Sequence, residues 1–370
     1  MKSRFVYFLG ICGLLWTSSA MADVNLAVWT PLSGELSIAG EEIADGVKAA
    51  VQEINQDGGL LGQKVNLVVA EDMCNDSLAV SSAQMMALNT NEEYKVSAVI
   101  GPYCFNQFQR VTDTLSHAGI FQIIPTPVDG AFAENAHDGL VNMIGYRERQ
   151  AQDFFDFYNE SFNWFKVAMI YDKNNKDIAE ATQKVFEQNG KAENLVSYDF
   201  EGEDFDYGKL AKKVLKENKT QAAFILGTAE DVSRMARELK IQKKKYVIFV
   251  NKHQVEAVFF DVMGSLADEV YFIGLPTLKD SPEFAEALVK LRLLGFEPEG
   301  LAVYGYSAVR LWQDLVKKSN SFKYEKLSQT LKTGKFNMGW GELTFSKGNP
   351  NKILSYSIYQ YHDDEYTQVY

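Results

Sequence analysis

Histidine is scarce in this chain, and its four copies, His117, His137, His253 and His362, stand far apart. No His-Glu-x-x-His or Cys-x-x-Cys occurs, so a metal centre has no ligand spacing to rest on. No Gly-x-Ser-x-Gly elbow marks a hydrolase nucleophile. No Gly-x-x-x-x-Gly-Lys-Ser/Thr loop is present, and no Gly-x-Gly-x-x-Gly follows a strand, which excludes the common phosphate cradles. Proline is also sparse, eight residues scattered without a proline-rich linker, and no low-complexity segment divides the chain. Basic residues are outnumbered, 37 against 49 acidic, for a net charge of −12. Such a surface repels nucleic acid, and the short basic run Lys243–Lys245 reads as a loop after a helix. The acidic run FEGEDFDYG, with Glu201, Glu203, Asp204 and Asp206, allows a glycosidase carboxylate pair. Acids clustered on a polar link are more often a solvated face.

Long apolar runs are missing beyond residue 22, and none approaches the ~18–20 residues that cross a bilayer. The one apolar segment is FVYFLGICGLLW, preceded by Lys2 and Arg4 and followed by Thr17 to Ala22 with an Ala-x-Ala ending. That pattern predicts a secretory signal peptide over 1–22, cleaved after Ala22. A lipoprotein with Cys12 acylated is the alternative, but it shortens the apolar core and leaves Ala-x-Ala without a purpose. The expected product is a soluble exported protein in a bacterial periplasm, long enough for two lobes. Its two remaining cysteines, Cys74 and Cys104, suggest a disulfide in an oxidising compartment, with two buried thiols as the alternative. On the chain-entropy model such a bridge contributes roughly 3–4 kcal/mol.

What is abundant is a strand–helix rhythm. Ile43, Val47, Ala50, Val51 and Ile54 recur at helical spacing and stop at Asp57-Gly58-Gly59. Those glycines close a helix and precede a strand, the wrong end for an anion, so they are read as a turn. Predicted strands follow at 25–29, 65–70, 96–100 and 120–124, with helices near 77–88 and 108–117. The rhythm restarts at KVAMIY (166–171), with strands near 195–200, 222–226, 246–250 and 269–274. Helices are predicted at 178–188, 207–217, 229–239, 282–293 and 302–317. Two α/β units with parallel sheets covered by helices on both faces are expected. After residue 341 the pattern changes to antiparallel strands.

The phrases TPLSGELSIAGEEIADGVKAAVQEINQDGGLLGQKVNLVVAED, CNDSLAVSSAQ, SAVIGPYC, GIFQIIPTP, KVAMIYDKN and AFILG, in that order, resemble the type I periplasmic binding proteins of ABC importers, specifically the leucine/isoleucine/valine-binding family. The resemblance spans nearly the whole chain after residue 22 and is strongest up to residue 150. It implies two Rossmann-like lobes, 23–145 plus 275–349 and 146–274 plus 350–370, joined by three crossings near 143–148, 273–277 and 346–352. It implies a bonded Cys74–Cys104 pair, and a solute held between the carboxyl ends of the strands by hinge closure. Permease and ATPase subunits at the inner membrane would be the partners of a monomer, with no cofactor and no catalysis. A periplasmic sensor presenting its ligand to a membrane receptor uses the same fold and is the alternative. An exported hydrolase lacks any catalytic set.

Carried over residue by residue, the family's ligand positions fall on altered residues. Phe105 and Asn106 follow Cys104 where the family has serines. Thr126, Pro127 and Val128 replace a small-small-Thr run, and Ala39 stands for a lidding aromatic. Lys176 stands for a tyrosine, and Asn251 and Lys252 stand near the position of the acid that pairs with an ammonium. Arg147, near a crossing, either contacts an anion or locks the hinge, and Thr228 completes the candidate set. Losing an acid while gaining Lys176 and Lys252 reverses the local sign. The expected solute is therefore small and polar but not a plain zwitterionic branched-chain amino acid; an anionic or uncharged molecule fits better, with Phe105 as an apolar or stacking wall.

Overall fold

The computed structural model describes residues 23–370 except 35, 72, 90, 92–93, 105–107, 131, 133–135, 138, 202–204, 218, 252–256, 279–283, 297–299 and 363–364. The leader predicted over 1–22 lies outside the described residues. Among the described residues, no helix is long and apolar enough to cross a membrane.

The first sheet is wholly parallel. Its strands are β1 (Val24–Trp29), β2 (Val65–Ala70), β3 (Val96–Ile100), β4 (Phe121–Ile124) and β5 (Leu140–Asn142), in the order β2-β1-β3-β4-β5. Every residue of β1 is buried because both faces are covered. Leu26 and Val28, with Ile100 and Ile123, pack on Ile43, Val47 and Ile54 of helix α1 (Ser37–Gln56). Ala27, Trp29 and Val99 face the other way, onto Ala79 and Ala83 of α2 (Asp76–Leu88) and Val111 and Leu115 of α3 (Phe108–His117).

The link that ends α1 shows what its glycines are for. Gly58 and Gly59 both have positive φ, +95° and +86°, and the Gly59 N–H closes on the Ile54 carbonyl at 2.8 Å. A Cβ on Gly59 would lie 2.2 Å from the Gln63 carbonyl oxygen, so only glycine fits the turn. Asn55 then pins the start of β2, its side chain bonding both the N–H and the carbonyl of Val65 at 2.8 Å.

The second sheet has the order β16-β15-β10-β9-β8-β6-β7. Strands β6 (Val167–Tyr171), β7 (Leu195–Asp199), β8 (Ala222–Leu226), β9 (Val247–Asn251) and β10 (Tyr271–Gly274) are parallel. The tail adds β15 (Ser357–His362) and β16 (Glu365–Gln368) antiparallel at one edge. One face packs on α4 (Arg149–Ser161) and α5 (Lys176–Gln188) through an aromatic cluster. There the Phe154 ring lies 4.6 Å from Phe224 and 5.1 Å from Phe249, centroid to centroid. The other face meets α6 (Tyr207–Lys212), α7 (Ala229–Gln242) and α8 (Ala257–Met263) through Leu210, Val232, Met235 and Phe259.

The sequence pattern misses β5 and α4, and extends α6 to 217, where the chain instead takes a π-helical turn over Lys213–Glu217. Helix α9 (Ala285–Leu293) and α10 (Ala302–Ser319) return the chain to the first sheet, followed by α11 (Tyr324–Thr333), also unexpected. The tail is more divided than one hairpin. β11 (Phe336–Met338) pairs with β12 (Gly341–Leu343), and β13 (Phe345–Ser346) pairs with β14 (Asn349–Pro350).

The chain thus passes between the sheets after β5, after β10 and after β14. The first and last passages run side by side. The Leu354 N–H donates to the Ile144 carbonyl at 3.0 Å, and the Tyr356 N–H donates to Asp153 at 2.8 Å.

Candidate functional site

A cavity of about 610 Å³ opens where the carboxyl ends of both sheets converge. General α/β physics puts a ligand here, beyond the strand ends, where strand order reverses about β1/β3 and β6/β8. The first sheet contributes Leu36 after β1, Tyr103 after β3, and Thr126, Pro127 and Asp129 after β4. Cys74 and Cys104 line the same wall as a disulfide, their Cα atoms 5.4 Å apart. The first passage contributes Arg147 and Glu148, with Gln150 just inside α4. The second sheet contributes Lys173, Asn174, Asn175 and Asp177 after β6 and Asn251 at the end of β9, and Tyr356 comes from the last passage.

Backbone pairing aims the passage. The Val128 N–H donates to the Gly145 carbonyl at 2.9 Å, and the Arg147 N–H donates to the Val128 carbonyl at 2.8 Å. That register sets the next two side chains at the cavity. Arg147 turns to the second lobe, donating from Nη2 to Asn175 Oδ1 at 3.0 Å and to the Asn174 carbonyl at 3.3 Å. Its Nε lies 3.3 Å from Asp177 Oδ2. The loop that meets it is preformed, because Asp172 Oδ1 accepts from the N–H groups of Asn174 and Asn175 and from Asn175 Nδ2. Burial pushes the Asp172 carboxyl up despite those bonds. Glu148 turns to the first lobe, where Oε1 accepts the Gly130 N–H at 2.6 Å. Deeper in, Asn251 Nδ2 donates to Gln150 Oε1 at 2.6 Å.

Of the residues anticipated from sequence, Thr126, Pro127, Arg147 and Asn251 line the cavity together with Cys74 and Cys104. Four others do not. Ala39 packs against the core from within α1, and Leu36, one turn earlier, meets the cavity instead. Val128 is fully buried beneath the wall. Thr228 caps α7, accepting the Asp231 N–H and donating to Asp231 Oδ2 at 2.8 Å. Lys176 opens α5 with its side chain 65% exposed, 3.5 Å from Glu180 across one helical turn. Phe105, Asn106 and Lys252 lie outside the described residues.

The sign of the wall follows from these placements. With Lys176 turned away, the described lining holds Asp129, Glu148 and Asp177 against Arg147 and Lys173. Lys173 is itself 75% exposed and reaches toward Glu201. The expected reversal toward positive charge is absent from the described wall. Glu148, Gln150, Asn174, Asn175, Asp177 and Tyr356 were not among the anticipated residues. The polar run Asp172-Lys173-Asn174-Asn175 directly after KVAMIY was the available signal, since loops at strand ends face ligands.

The acidic run is accounted for in part: Asp206 caps α6 through the Lys209 N–H, while 202–204 lie outside the described residues. A family model described as Periplasmic binding protein matches residues 23–365. A Leu/Ile/Val-binding protein homolog from Brucella suis is 24% identical over 346 residues, covering 93% of this chain and 91% of that protein. A leucine binding protein from Thermotoga maritima shares the fold with a TM-score of 0.78 at 17% identity, over 94% of this chain and 98% of that one. A solute binding protein from R. palustris in complex with benzoate does so with a TM-score of 0.76 at 15% identity, over 94% and 96%. The chain belongs to the periplasmic binding protein family, whose members bind solutes.

Proposed function

We propose that this chain is the substrate-binding component of an ABC importer, handing a small polar solute to permease and ATPase subunits at the inner membrane. The observation that carries the reading is the cavity between the sheets, built from strand ends of both and from two of the connecting passages. A solute held by both walls favours a shut state, because it makes its full set of contacts only when the jaws meet. The jaws are 23–145 with 275–349 and 146–274 with 350–370. The protein is exported through the leader over 1–22, cleaved after Ala22, and acts in the periplasm as a monomer. Thr126, Pro127, Arg147 and Asn251 supply part of the grip, joined by Glu148, Asn175 and Tyr356.

Native mass spectrometry of the purified protein tests the reading. The expected result is a monomer carrying a small molecule that leaves on partial unfolding. Refilling the emptied protein with that molecule should raise the melting temperature and contract the particle in solution scattering. A protein that neither retains nor responds to any small solute overturns the proposal.

A further inference from the structure

The outer end of the second sheet is basic, on a chain that is otherwise acidic. Strands β6 to β10 are parallel, so the stretches that lead into them lie side by side, at the end of the sheet away from the cavity. Hydrogen bonds tie these stretches together. The Lys166 N–H donates to Gln221 Oε1 at 2.6 Å, and the Gln221 N–H returns to the Lys166 carbonyl at 2.8 Å. The Val247 N–H donates to the Gln221 carbonyl at 3.2 Å, and Lys191 Nζ reaches the Asn163 carbonyl at 3.1 Å. Lys213, Lys216 and Lys219, leading into β8, and Lys243, Lys244 and Lys245, leading into β9, are all exposed. Counting Lys166 and Lys191, residues 162–166, 189–194, 213–221 and 241–246 hold eight lysines against two acids, Glu193 and Glu217. The whole chain carries −12. Lys213 and Lys243 lie over the Tyr198 and Tyr246 rings, 5.6 and 5.5 Å from the centroids. Acids sit toward the other edge, with Asp268 and Glu269 before β10.

Two apolar side chains stand among these lysines. Trp164 is 70% exposed and Ile241 53%. One exposed apolar residue is ordinary, but tryptophan beside a field of lysines is the pairing that suits lipid headgroups. The indole lies at headgroup level and the ammonium groups reach the phosphates. Lysine also argues against a single shaped anionic partner. Planar, two-pronged recognition of a carboxylate or phosphate uses arginine, and the four stretches contain none. A compact point charge on a flexible stem suits a fluid surface instead. We infer that the outer end of the second sheet docks on an anionic phospholipid surface, with Trp164 in the headgroup layer and the six exposed lysines over the phosphates. The negative charge of the whole chain does not prevent this. At physiological ionic strength charges more than about 8 Å away are largely screened, so the surface feels the patch before the rest. Each lysine held at such a surface raises affinity about five-fold. The cavity, at the opposite end of the strands, stays open. The inference goes beyond the solute-binding reading and does not depend on it.

Vesicle flotation of the exported protein, residues 23–370, tests it. The vesicles are phosphatidylcholine alone or an equal mixture with phosphatidylglycerol. At ~0.1 M salt the protein should float with the mixed vesicles and not with phosphatidylcholine, and ~1 M salt should release it. The triple variant Lys243→Gln, Lys244→Gln, Lys245→Gln should lose ~20-fold or more in affinity. The triple variant Lys317→Gln, Lys323→Gln, Lys326→Gln makes the same change in net charge at exposed lysines beyond the patch, and should bind as wild type. Tryptophan emission should shift to the blue on mixed vesicles, and Trp164→Phe should abolish the shift. All the substituted side chains are exposed, so both triple variants should melt with the wild type. No flotation, equal flotation with phosphatidylcholine, or equal losses in the two triple variants overturns the proposal. A blue shift that persists in Trp164→Phe overturns the seat given to Trp164. Tighter binding to soluble polyglutamate than to vesicles assigns the face to an acidic macromolecule and overturns the lipid. None of these outcomes bears on whether a solute occupies the cavity.

Discussion

Two glutamates in this molecule, Glu53 buried and Glu148 half-buried, have opposite surroundings. Glu53, on α1 at the back of the first lobe, is 7% exposed. Its Oε1 accepts from Lys290 Nζ at 2.5 Å with Arg310 at 3.5 Å, and its Oε2 accepts from the Tyr306 hydroxyl at 2.5 Å. Burial pushes the Glu53 carboxyl up, but those hydrogen bonds and the two positive charges pull it below its ordinary value of 4.5. Burial also pushes Glu148 up, and there the Gly130 N–H does not make up the difference. Asp177 and Asp129 push the same way, and the carboxyl ends above 4.5. The contrast teaches how the neighbours of an acid set its charge state: Glu53 is ringed by two cations and a hydroxyl, and Glu148 has one backbone N–H and two further acids beside it.

The largest way to break the structural side of the comparison is through the backbone beneath it. The helices that bring Tyr306 to Glu53 cross with almost no separation at Gly46. A Cβ there would lie 1.8 Å from the Ala302 carbonyl oxygen and 2.8 Å from the Tyr306 nitrogen, and neither can swing aside. Gly46→Ala should cost about 3 kcal/mol in urea unfolding, and a midpoint equal to wild type would show that the helices do not meet this way. Glu53→Gln should cost less, about 1–3 kcal/mol, because Lys290 and Arg310 are partly exposed and recover some hydration.

Glu148→Gln should shift stability the other way in the solute-free protein, a gain of about 1 kcal/mol at neutral pH from removing an uncompensated charge. The two glutamates also differ in pH dependence. For Glu53, with a lowered folded value, the stabilisation is complete above the ordinary 4.5 and disappears as pH falls through the folded value. The advantage of wild type over Glu53→Gln should therefore close in acid. For Glu148, with a raised folded value, the stabilisation is complete below 4.5 and lost as pH rises through the folded value. The advantage of Glu148→Gln over wild type should therefore open between acid and neutral pH. Parallel urea series at pH 3.5 to 7 read both, and equal slopes for the two variants would erase the distinction drawn here.

Much of the fold was legible because periodicity reports what each strand buries. The strands of both sheets read as apolar runs, and the glycines after α1 announced its end. Helix α4 was missed although Ala151, Phe154, Phe155 and Tyr158 recur at helical spacing, because it fills the stretch between the two strand–helix sets. Strand β5 is only three residues long. In the site, Thr126 and Asn251 came from the family resemblance, and both line the cavity at strand ends. Ala39 and Val128 stand outside the cavity lining, since residue type does not reveal which way a side chain points. Lys176 stands outside the cavity lining because a lysine at the start of a helix, with Glu180 one turn on, finds its partner along the helix. Glu148 and Tyr356 needed the passages between the lobes to be placed side by side in space, which no spacing in the chain records.

The smallest effect is the most discriminating for the first lobe's share of the grip. Thr126→Val exchanges a buried hydroxyl for a methyl of nearly the same size. If that hydroxyl were part of the scaffold, losing it would cost about 1 kcal/mol or more, as losing a buried hydrogen bond does. Because its Oγ has no hydrogen-bond partner among the described residues, the exchange should instead leave stability unchanged or raise it by up to about 1 kcal/mol. Its cost should appear only when solute is added, as a smaller thermal shift at the same concentration. A stability loss without solute would place the hydroxyl among the structural groups with Glu53. An unchanged thermal shift would leave the passage and the second lobe to hold the solute's polar groups by themselves.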